Sequence, residues 1–461
     1  MIRPDATPLA AEPPVPATPL AAPRPRDLAE AGLSELYVAD LISKHLFEQG
    51  VLDLQALTRC VALAGGLLEP VLAFLRETAR VEVRGATLDG LLRFALTERG
   101  RLVAQEALAR DGYIGPAPVP LEQYAALVER QSMSARSVDR DRVHAAFADI
   151  QIRPELLDQL GPALHSGRAT FIHGDAGTGK TYIARRLARL LAGEVLIPHA
   201  VLVAGKAVRL FDGGVHEPLE EPLEEAPSVD TVTNTVAAAY LNSLHLGQGH
   251  DPRYVRCRRP VVVVGGELTM DMLEVQYDTT THIHHAPAQL RANNGMLVID
   301  DLGRQRMRPD ELFNRWIVPM EERRDFLSLR SGQHFQVPFD VALVFSSNRH
   351  PQELADPAFL RRIGYKIRFE PLVRDEYHAI WQQECRRRGL EAEPAMADFV
   401  IDALHGRHGV PLLPCHPRDL LGLAMDYLGY RGETALDEAA LRWAWRTYFV
   451  EPGAAGEERE S

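Results

Sequence analysis

Eight consecutive residues, Gly174-Asp175-Ala176-Gly177-Thr178-Gly179-Lys180-Thr181, carry the clearest chemistry in this chain. They satisfy the phosphate-loop pattern G-x-x-x-x-G-K-[ST] in full. Glycines let backbone N–H groups turn toward phosphate oxygens with no side chain in the way. A helix opening behind the loop adds the partial positive charge of its N-terminus. The pattern assigns Lys180 to the β- and γ-phosphates and the Thr181 hydroxyl to Mg²⁺. The implied ligands are a nucleoside triphosphate, ATP above all, and Mg²⁺.

Two further segments end apolar runs in polar groups. Met296-Leu297-Val298-Ile299 runs into Asp300-Asp301, and Val341-Ala342-Leu343-Val344-Phe345 runs into Ser346-Ser347-Asn348. In open α/β sheets, ligands sit at the C-terminal ends of such strands. Asp300 suits Mg²⁺, largely through water. Asp301 stands where a carboxylate can polarise an attacking water. Asn348 can touch the γ-phosphate or orient that water. Asp356-Pro357-Ala358-Phe359-Leu360-Arg361-Arg362 and His416-Pro417-Arg418-Asp419-Leu420 add arginines, which pair with phosphate oxygens through two parallel bonds.

Several elements must position these groups. Ala169 to His173 reads as a short buried strand and Thr181 to Leu191 as a helix, with Ile183, Ala184, Leu187, Leu190 and Leu191 on one face and Gly193 as the stop. Val261 to Val264 is an all-apolar run of the kind expected of a parallel strand buried on both faces. Glu194 to Leu210 reads as strand-rich. Helical stretches fall near Arg374–Arg388, Pro394–His405, Pro417–Tyr430 and Asp437–Tyr448.

At 461 residues the chain has room for about two or three domains. Its net charge of −12 argues against general coating of nucleic acid or an anionic membrane. Cys60, Cys257, Cys385 and Cys415 lack metal or disulfide spacing, which fits a reducing cytoplasm. No apolar run approaches the roughly 20 residues of a bilayer span, so no membrane insertion is expected.

Residues 1–26 form an Ala/Pro-rich leader that cannot bury a core. Residues 27–113 read as three helices, a hairpin around Gly85 and Asp89-Gly90, and a last helix capped by Thr97. That order resembles a winged helix-turn-helix. From Arg26 to Arg110 there are ten Lys/Arg against twelve Asp/Glu, which lacks the electrostatic footprint of DNA binding. Arg80, Arg84 and Arg93 leave a small basic patch on the wing, so nucleic acid stays open while a protein contact is favoured. Residues 114–150 read as a Pro-stiffened linker with lead-in helices. The nucleotide-binding core is expected over 151–370, a helical lid over 371–450 and an acidic tail over 451–461. His216 to Asp230, rich in Glu, reads as a solvated loop. His282, His284 and His285 read as an exposed polar insert, with a metal site as the sharper alternative.

The five chemical pieces, in their order, resemble an AAA+ ATPase over about Leu121 to Val450. The resemblance implies an α/β fold, with a five-stranded parallel P-loop core and a C-terminal helical lid behind the small α+β winged-helix-like domain. It implies a first sensor at Asn348, an arginine finger at Arg361 or Arg362 acting on a neighbouring subunit, and a second sensor at Arg418. It also implies a homo-oligomeric ring, of hexameric type, that works on a protein client or adaptor. A hairpin over Ser328 to Val337 and an insert over Met272 to Asn294 resemble MoxR-like groups. Arg258-Arg259-Pro260-Val261-Val262-Val263-Val264-Gly265-Gly266-Glu267-Leu268-Thr269, Asn314-Arg315-Trp316-Ile317-Val318-Pro319 and Cys415-His416-Pro417-Arg418-Asp419-Leu420 look like predicted chaperone-like ATPases associated with tight-adherence pilus assembly. One departure stands out. AAA+ motifs end in Asp-Glu where this chain has Asp300-Asp301, and the shorter acid puts the hydrolysis rate in question. A DNA-directed AAA+ protein and a slowly hydrolysing scaffold are the alternatives.

Overall fold

The computed structural model describes residues 22–88, 90–132, 138–188, 190–191, 193–219, 250–391 and 393–449. Most of the leader, most of the acidic run after His216 and the tail lie outside the described residues.

The N-terminal unit packs helices Glu35–Gln49, Leu54–Val61 and Gly65–Glu77 against strands β1 (Leu52–Asp53), β2 (Val81–Ala86) and β3 (Leu92–Leu96). Local chemistry fixes the helix starts. Ser34, Asp53 and Thr97 each accept a backbone N–H of the helix they precede, the last helix being Glu98–Arg110. The strands form one antiparallel sheet in the order β1-β3-β2. Val38, Ile42, Leu57, Leu68 and Leu75 fill the core between them. The three helices, the hairpin and the last helix follow in the expected order, with β1 as an additional short strand between the first two helices.

The remaining strands, in chain order, begin with β4 (Val119–Pro120), β5 (Thr170–Gly174), β6 (Glu194–Pro198), β7 (Ala200–Val203), β8 (Lys206–Arg209), β9 (Tyr254–Arg258) and β10 (Val261–Val264). They continue with β11 (Gln276–Asp278), β12 (Ile283–His285), β13 (Gly295–Ile299), β14 (Arg324–Ser328), β15 (His334–Pro338), β16 (Val341–Ser347) and β17 (Tyr365–Phe369). Five of them make the central parallel sheet, in the order β10-β13-β16-β5-β17. The five-stranded parallel core implied by the resemblance is therefore present. Every residue of β13 and β16 is buried. β10 departs from expectation: Val262 and Val264 are buried, but Val261 and Val263 are only partly covered. It is an edge strand, and the helix Lys180–Ala188 packs chiefly on β5, β16 and β13.

A second five-stranded sheet, β11-β12-β8-β7-β4, stands beside the first. It is built mostly from the chain between the phosphate-loop helix and β13. It joins the N-terminal unit to the core, since Ala200 and Ala207 lie in the N-terminal hydrophobic cluster. The three histidines fall here, and the expected exposure is corrected. His284 is buried on β12 with its ring 4.8 Å from that of Tyr277, and the His282 carbonyl accepts the Gly112 N–H. Among the described residues no cluster of three or more His, Cys, Asp or Glu is placed to hold a metal.

The segments Arg258-Arg259-Pro260 and Asn293-Asn294-Gly295 have a structural role. Arg259 donates to the carbonyls of Asn294 and Gln131, while Asn294 Nδ2 donates to Val128 O and Asp340 Oδ2. Asn293 Nδ2 donates to the Tyr124 hydroxyl. This buried, mutually bonded network bolts the helix Leu121–Arg130 to the N-terminal edge of the central sheet.

The C-terminal region is helical, as expected: Arg374–Arg387, Pro394–Asp398 continuing as a wider π-type stretch Phe399–Gly406, then Cys415–Arg431 and Glu438–Tyr448. Tyr377, Trp381, Leu420, Leu421, Leu441 and Trp445 form its core. Arg153 clamps it to the central domain, donating to both Glu376 oxygens at 2.5 and 2.9 Å and to Pro371 O. Among the described residues no single helix is long and apolar enough to cross a membrane.

Candidate functional site

The parallel sheet delivers its polar residues to one edge. β5 ends in the phosphate loop, β13 in Asp300-Asp301, and β16 in Ser346-Ser347-Asn348. In the sheet β16 lies between β5 and β13, so Asn348 falls between the loop and the acidic pair.

The loop's glycines are required by its shape. Gly174, Gly177 and Gly179 have φ of 147°, 88° and 86°, a region that side chains disfavour. A Cβ on Gly174 would lie 2.1 Å from the Phe369 carbonyl oxygen. At Gly177 it would lie 2.6 Å from Cys415 Sγ, so the C-terminal region rests directly on the loop. Gly179 faces open space.

Lys180 is buried and fully engaged. Its Nζ donates to Gly174 O, Asp175 O and Asn348 Oδ1, each at 2.8 Å. Burial pushes its pKa down, while the carboxylates of Asp300, Asp301 and Asp175 pull the other way. Thr181 Oγ1 donates to Asp300 Oδ2 at 2.7 Å. Asn348 Nδ2 donates to Asp301 Oδ1 at 3.3 Å. Lys180, Thr181, Asp300, Asp301 and Asn348 thus form one connected constellation.

Asp301 has φ of 49°, the left-handed region. That turn lets Leu302 N–H bond back to Ser346 O, sealing β13 against β16. Aspartate tolerates this conformation better than most non-glycine residues. The backbone therefore supplies a local reason for the short acid.

Gln305, which the sequence reading did not single out, holds the turn. Its Nε2 donates to Asp300 O at 2.9 Å and Asp301 O at 3.2 Å, and its Oε1 accepts the Gly303 N–H. Only its position four residues past Asp301 hints at this. His173, just before the loop, is buried with its ring 5.1 Å from His350. Burial, with His350, Arg368 and Lys180 nearby, lowers its pKa and favours the neutral ring.

The three arginines lie apart from this constellation. Arg361 and Arg362 end the helix Pro357–Arg362, near the start of β17. Arg362 Nε donates to Glu321 Oε1 at 2.5 Å. Among the described residues Arg361 makes no side-chain hydrogen bond or ion pair. Arg418 sits in the first turn of Cys415–Arg431, where its guanidinium pairs with Asp419 at 2.8 Å and is largely exposed. Cys415 and Leu413 of this region lie beside Gly177 of the loop.

The donor set fits a nucleoside triphosphate and a hard cation. A glycine cradle free of side chains, a desolvated ammonium and a helix N-terminus suit phosphate. A hydroxyl and a carboxylate within hydrogen-bond distance of each other suit Mg²⁺.

A family described as a domain of unknown function (DUF8689) matches residues 373–447, nearly all of the helical C-terminal region. No curated protein matches the chain. Among solved structures, the chain is similar to NtrX from Brucella abortus in complex with ADP, at 13% identity and a TM-score of 0.39, over 78% of this chain and 64% of that one. It is also similar to the Thermotoga maritima RuvB Holliday junction branch migration motor, at 13% identity and a TM-score of 0.35, over 65% and 70% of the two chains. A third is domain III of the Thermotoga maritima replication initiation protein DnaA, at 14% identity and a TM-score of 0.34, over 67% and 98%.

Proposed function

We propose that this chain is an AAA+ ATPase that binds ATP with Mg²⁺ and hydrolyses it as a homo-oligomer. The observation that carries this reading is the meeting of Lys180, Thr181, Asp300, Asp301 and Asn348 at one edge of the parallel sheet. Loop N–H groups and Lys180 would take the phosphate oxygens. Thr181 and Asp300 would hold Mg²⁺, which when bound neutralises charge between the β- and γ-phosphates. Asp301 would accept the proton of the attacking water, and Asn348 would orient that carboxylate through its amide N–H. Arg361 and Arg362 would act on the nucleotide of a neighbouring subunit. Arg418 would reach the phosphates only after leaving Asp419.

A protein client or adaptor is the favoured partner. On the N-terminal unit Arg84 pairs with Glu82, and Arg80 and Arg110 both face Asp40, which neutralises part of the basic patch. The likeness to pilus-assembly ATPases points the same way.

The test is ATP hydrolysis as a function of protein concentration, with Lys180→Ala and Asp301→Asn as controls. A rate per subunit that rises with concentration and is lost in both variants supports an assembled ATPase. A wild type that binds ATP but turns over no faster than Asp301→Asn replaces it with a nucleotide-gated scaffold.

A further inference from the structure

The strand beside the acidic pair also leads into a carboxylate. β10 runs parallel to β13 with Val264 level with Ile299, and Asp300 N–H bonds to Val264 O at 2.8 Å. The two segments therefore leave the sheet side by side, one into Asp300-Asp301 and the other into Gly265-Gly266-Glu267. One amide ties them together. Besides Asp300 O and Asp301 O, Gln305 Nε2 reaches Gly265 O, at 3.5 Å. Side chains are kept out of the seam. A Cβ on Gly266 would lie 3.4 Å from Arg304 O, in the turn after Asp301, and one on Gly265 would lie 3.0 Å from Glu267 Oε2. Neither glycine has a positive φ, so what the pair provides is close approach.

Glu267 is held at this seam as an anion without a counter-charge. Leu268 behind it is fully buried, and its N–H closes the turn onto Gly265 O at 3.2 Å. Glu267 Oε1 accepts the Gly265 N–H at 2.9 Å. That bond and one from its own N–H hold its pKa below the usual carboxylate range. The side chain is exposed and makes no ion pair among the described residues. Asp300 and Asp301, by contrast, already accept from Thr181 and Asn348.

Asp301 is one methylene shorter than a glutamate, and its left-handed turn fixes where it stands. A base with too little reach holds the attacking water loosely, and a misplacement of about 1 Å can cost about 10² in rate. Water has two O–H groups, so a second acceptor can fix its orientation. We propose that Glu267 accepts a hydrogen bond from the attacking water while Asp301 takes its proton. This rests on the ATPase reading above and supplies the reach that Asp301 lacks. The water oxygen bonds to the γ-phosphorus, and one of its protons passes to Asp301. The other proton stays on that oxygen, now part of phosphate. The bond to the β–γ bridging oxygen breaks, and its electron pair leaves on ADP. Glu267 keeps its charge throughout.

The probe is ADP with Mg²⁺ and aluminium fluoride, a mimic of the transferring phosphoryl group that reads binding without turnover. In the full chain Glu267→Ala should weaken that complex about tenfold or more and leave the affinity for ADP alone unchanged. It should lower kcat by a similar factor with little change in KM. Glu267→Asp should lose nearly as much, because it removes reach and keeps charge. In an Asp301→Glu background, where the first acid is long enough, Glu267→Ala should cost no more than about threefold. Wild-type complex formation and kcat in Glu267→Ala overturn the role. Equal losses in the two backgrounds also overturn it, since a purely structural Glu267 would cost the same in both. Where Asp301→Glu strains the turn and melts low, Glu267→Asp decides, and full activity there overturns the role. A wild type that binds no ADP sinks the ATPase reading and this inference with it. A wild type that hydrolyses ATP and is indifferent to Glu267→Ala sinks this inference alone.

Discussion

Asn348 bridges Lys180 and Asp301: its Oδ1 accepts from Lys180 Nζ at 2.8 Å, and its Nδ2 donates to Asp301 Oδ1 at 3.3 Å. One amide, following the strand between the loop and the acidic pair, thus links the loop's ammonium to the Asp301 carboxylate. An amide suits the position because it both accepts and donates.

Asn348→Asp separates the two contacts. It keeps an acceptor for Lys180, loses the donor to Asp301 and sets a second carboxylate beside it. Nucleotide titration should change only a few-fold, about 1 kcal/mol or less. Hydrolysis should fall on the order of 10²-fold, the usual loss when a positioned donor is removed. Asn348→Ala should impair both. Wild-type turnover in Asn348→Asp would show that the contact to Asp301 plays no part in the reaction.

At Asp301 the conformation and the chemistry can be told apart. Asn tolerates the left-handed region as Asp does, so Asp301→Asn should leave the melting temperature nearly unchanged. It should still lower kcat by about 10² or more, as expected on loss of a general base. Asp301→Ala should lower kcat similarly and also cost about 1 kcal/mol of stability, because its Cβ gains no compensation at φ 49°. Thermal melts alongside steady-state rates check both halves. An Asp301→Asn chain that melts far lower than wild type would mean the carboxylate is structural.

A sheet end is easier to read from sequence than a surface. The loop, Asp300, Asp301 and Asn348 were legible because each ends a strand whose apolar run marks it. The C-terminal helices were legible from their helical patterning, and Trp381, Leu421 and Trp445 are buried among them. Gln305 was not, since its role depends on a turn set by the left-handed Asp301. The meeting of Arg168, Arg323 and Arg361 around one small cleft was not, because three separate segments reach that sheet edge only in the fold. His284 was misplaced because its burial comes from pairing with β8, far away in sequence. The histidine spacing alone carries no trace of that partner.

Asp251 and Arg253 form a fully buried pair, with Nε and Nη2 of the arginine on the carboxylate at 2.8 to 3.2 Å and Nη1 on Ala31 O. The pair ties the segment leading into the N-terminal unit to the loop before β9. Asp251→Ala leaves a buried, uncompensated cation and should destabilise the chain by about 3–5 kcal/mol. The double change Asp251→Leu/Arg253→Met should cost clearly less, because no charge stays buried. Denaturant unfolding of wild type, single and double variants measures this. Equal losses in the two variants would show that packing, not the unpaired charge, sets the cost.

Acid should weaken the helical C-terminal region through His416. The ring is buried with an unpaired Nδ1, its centroid is 5.0 Å from that of His405, and it packs against Phe449. Burial, with a smaller effect of His405, lowers its pKa from 6.5 to about 4. The folded state thus holds the proton less tightly than the unfolded chain. The stability tied to this is fully present above pH ~6.5 and is lost as pH falls from there toward ~4, a total of about 3 kcal/mol. His405, also lowered by burial, adds in the same direction. Melting should therefore be flat between pH 7 and 8 and should drop steeply below pH ~6. His416→Phe, which cannot take up a proton, should flatten part of that acid limb. An unchanged limb in His416→Phe would move the titration to His405 or to another group.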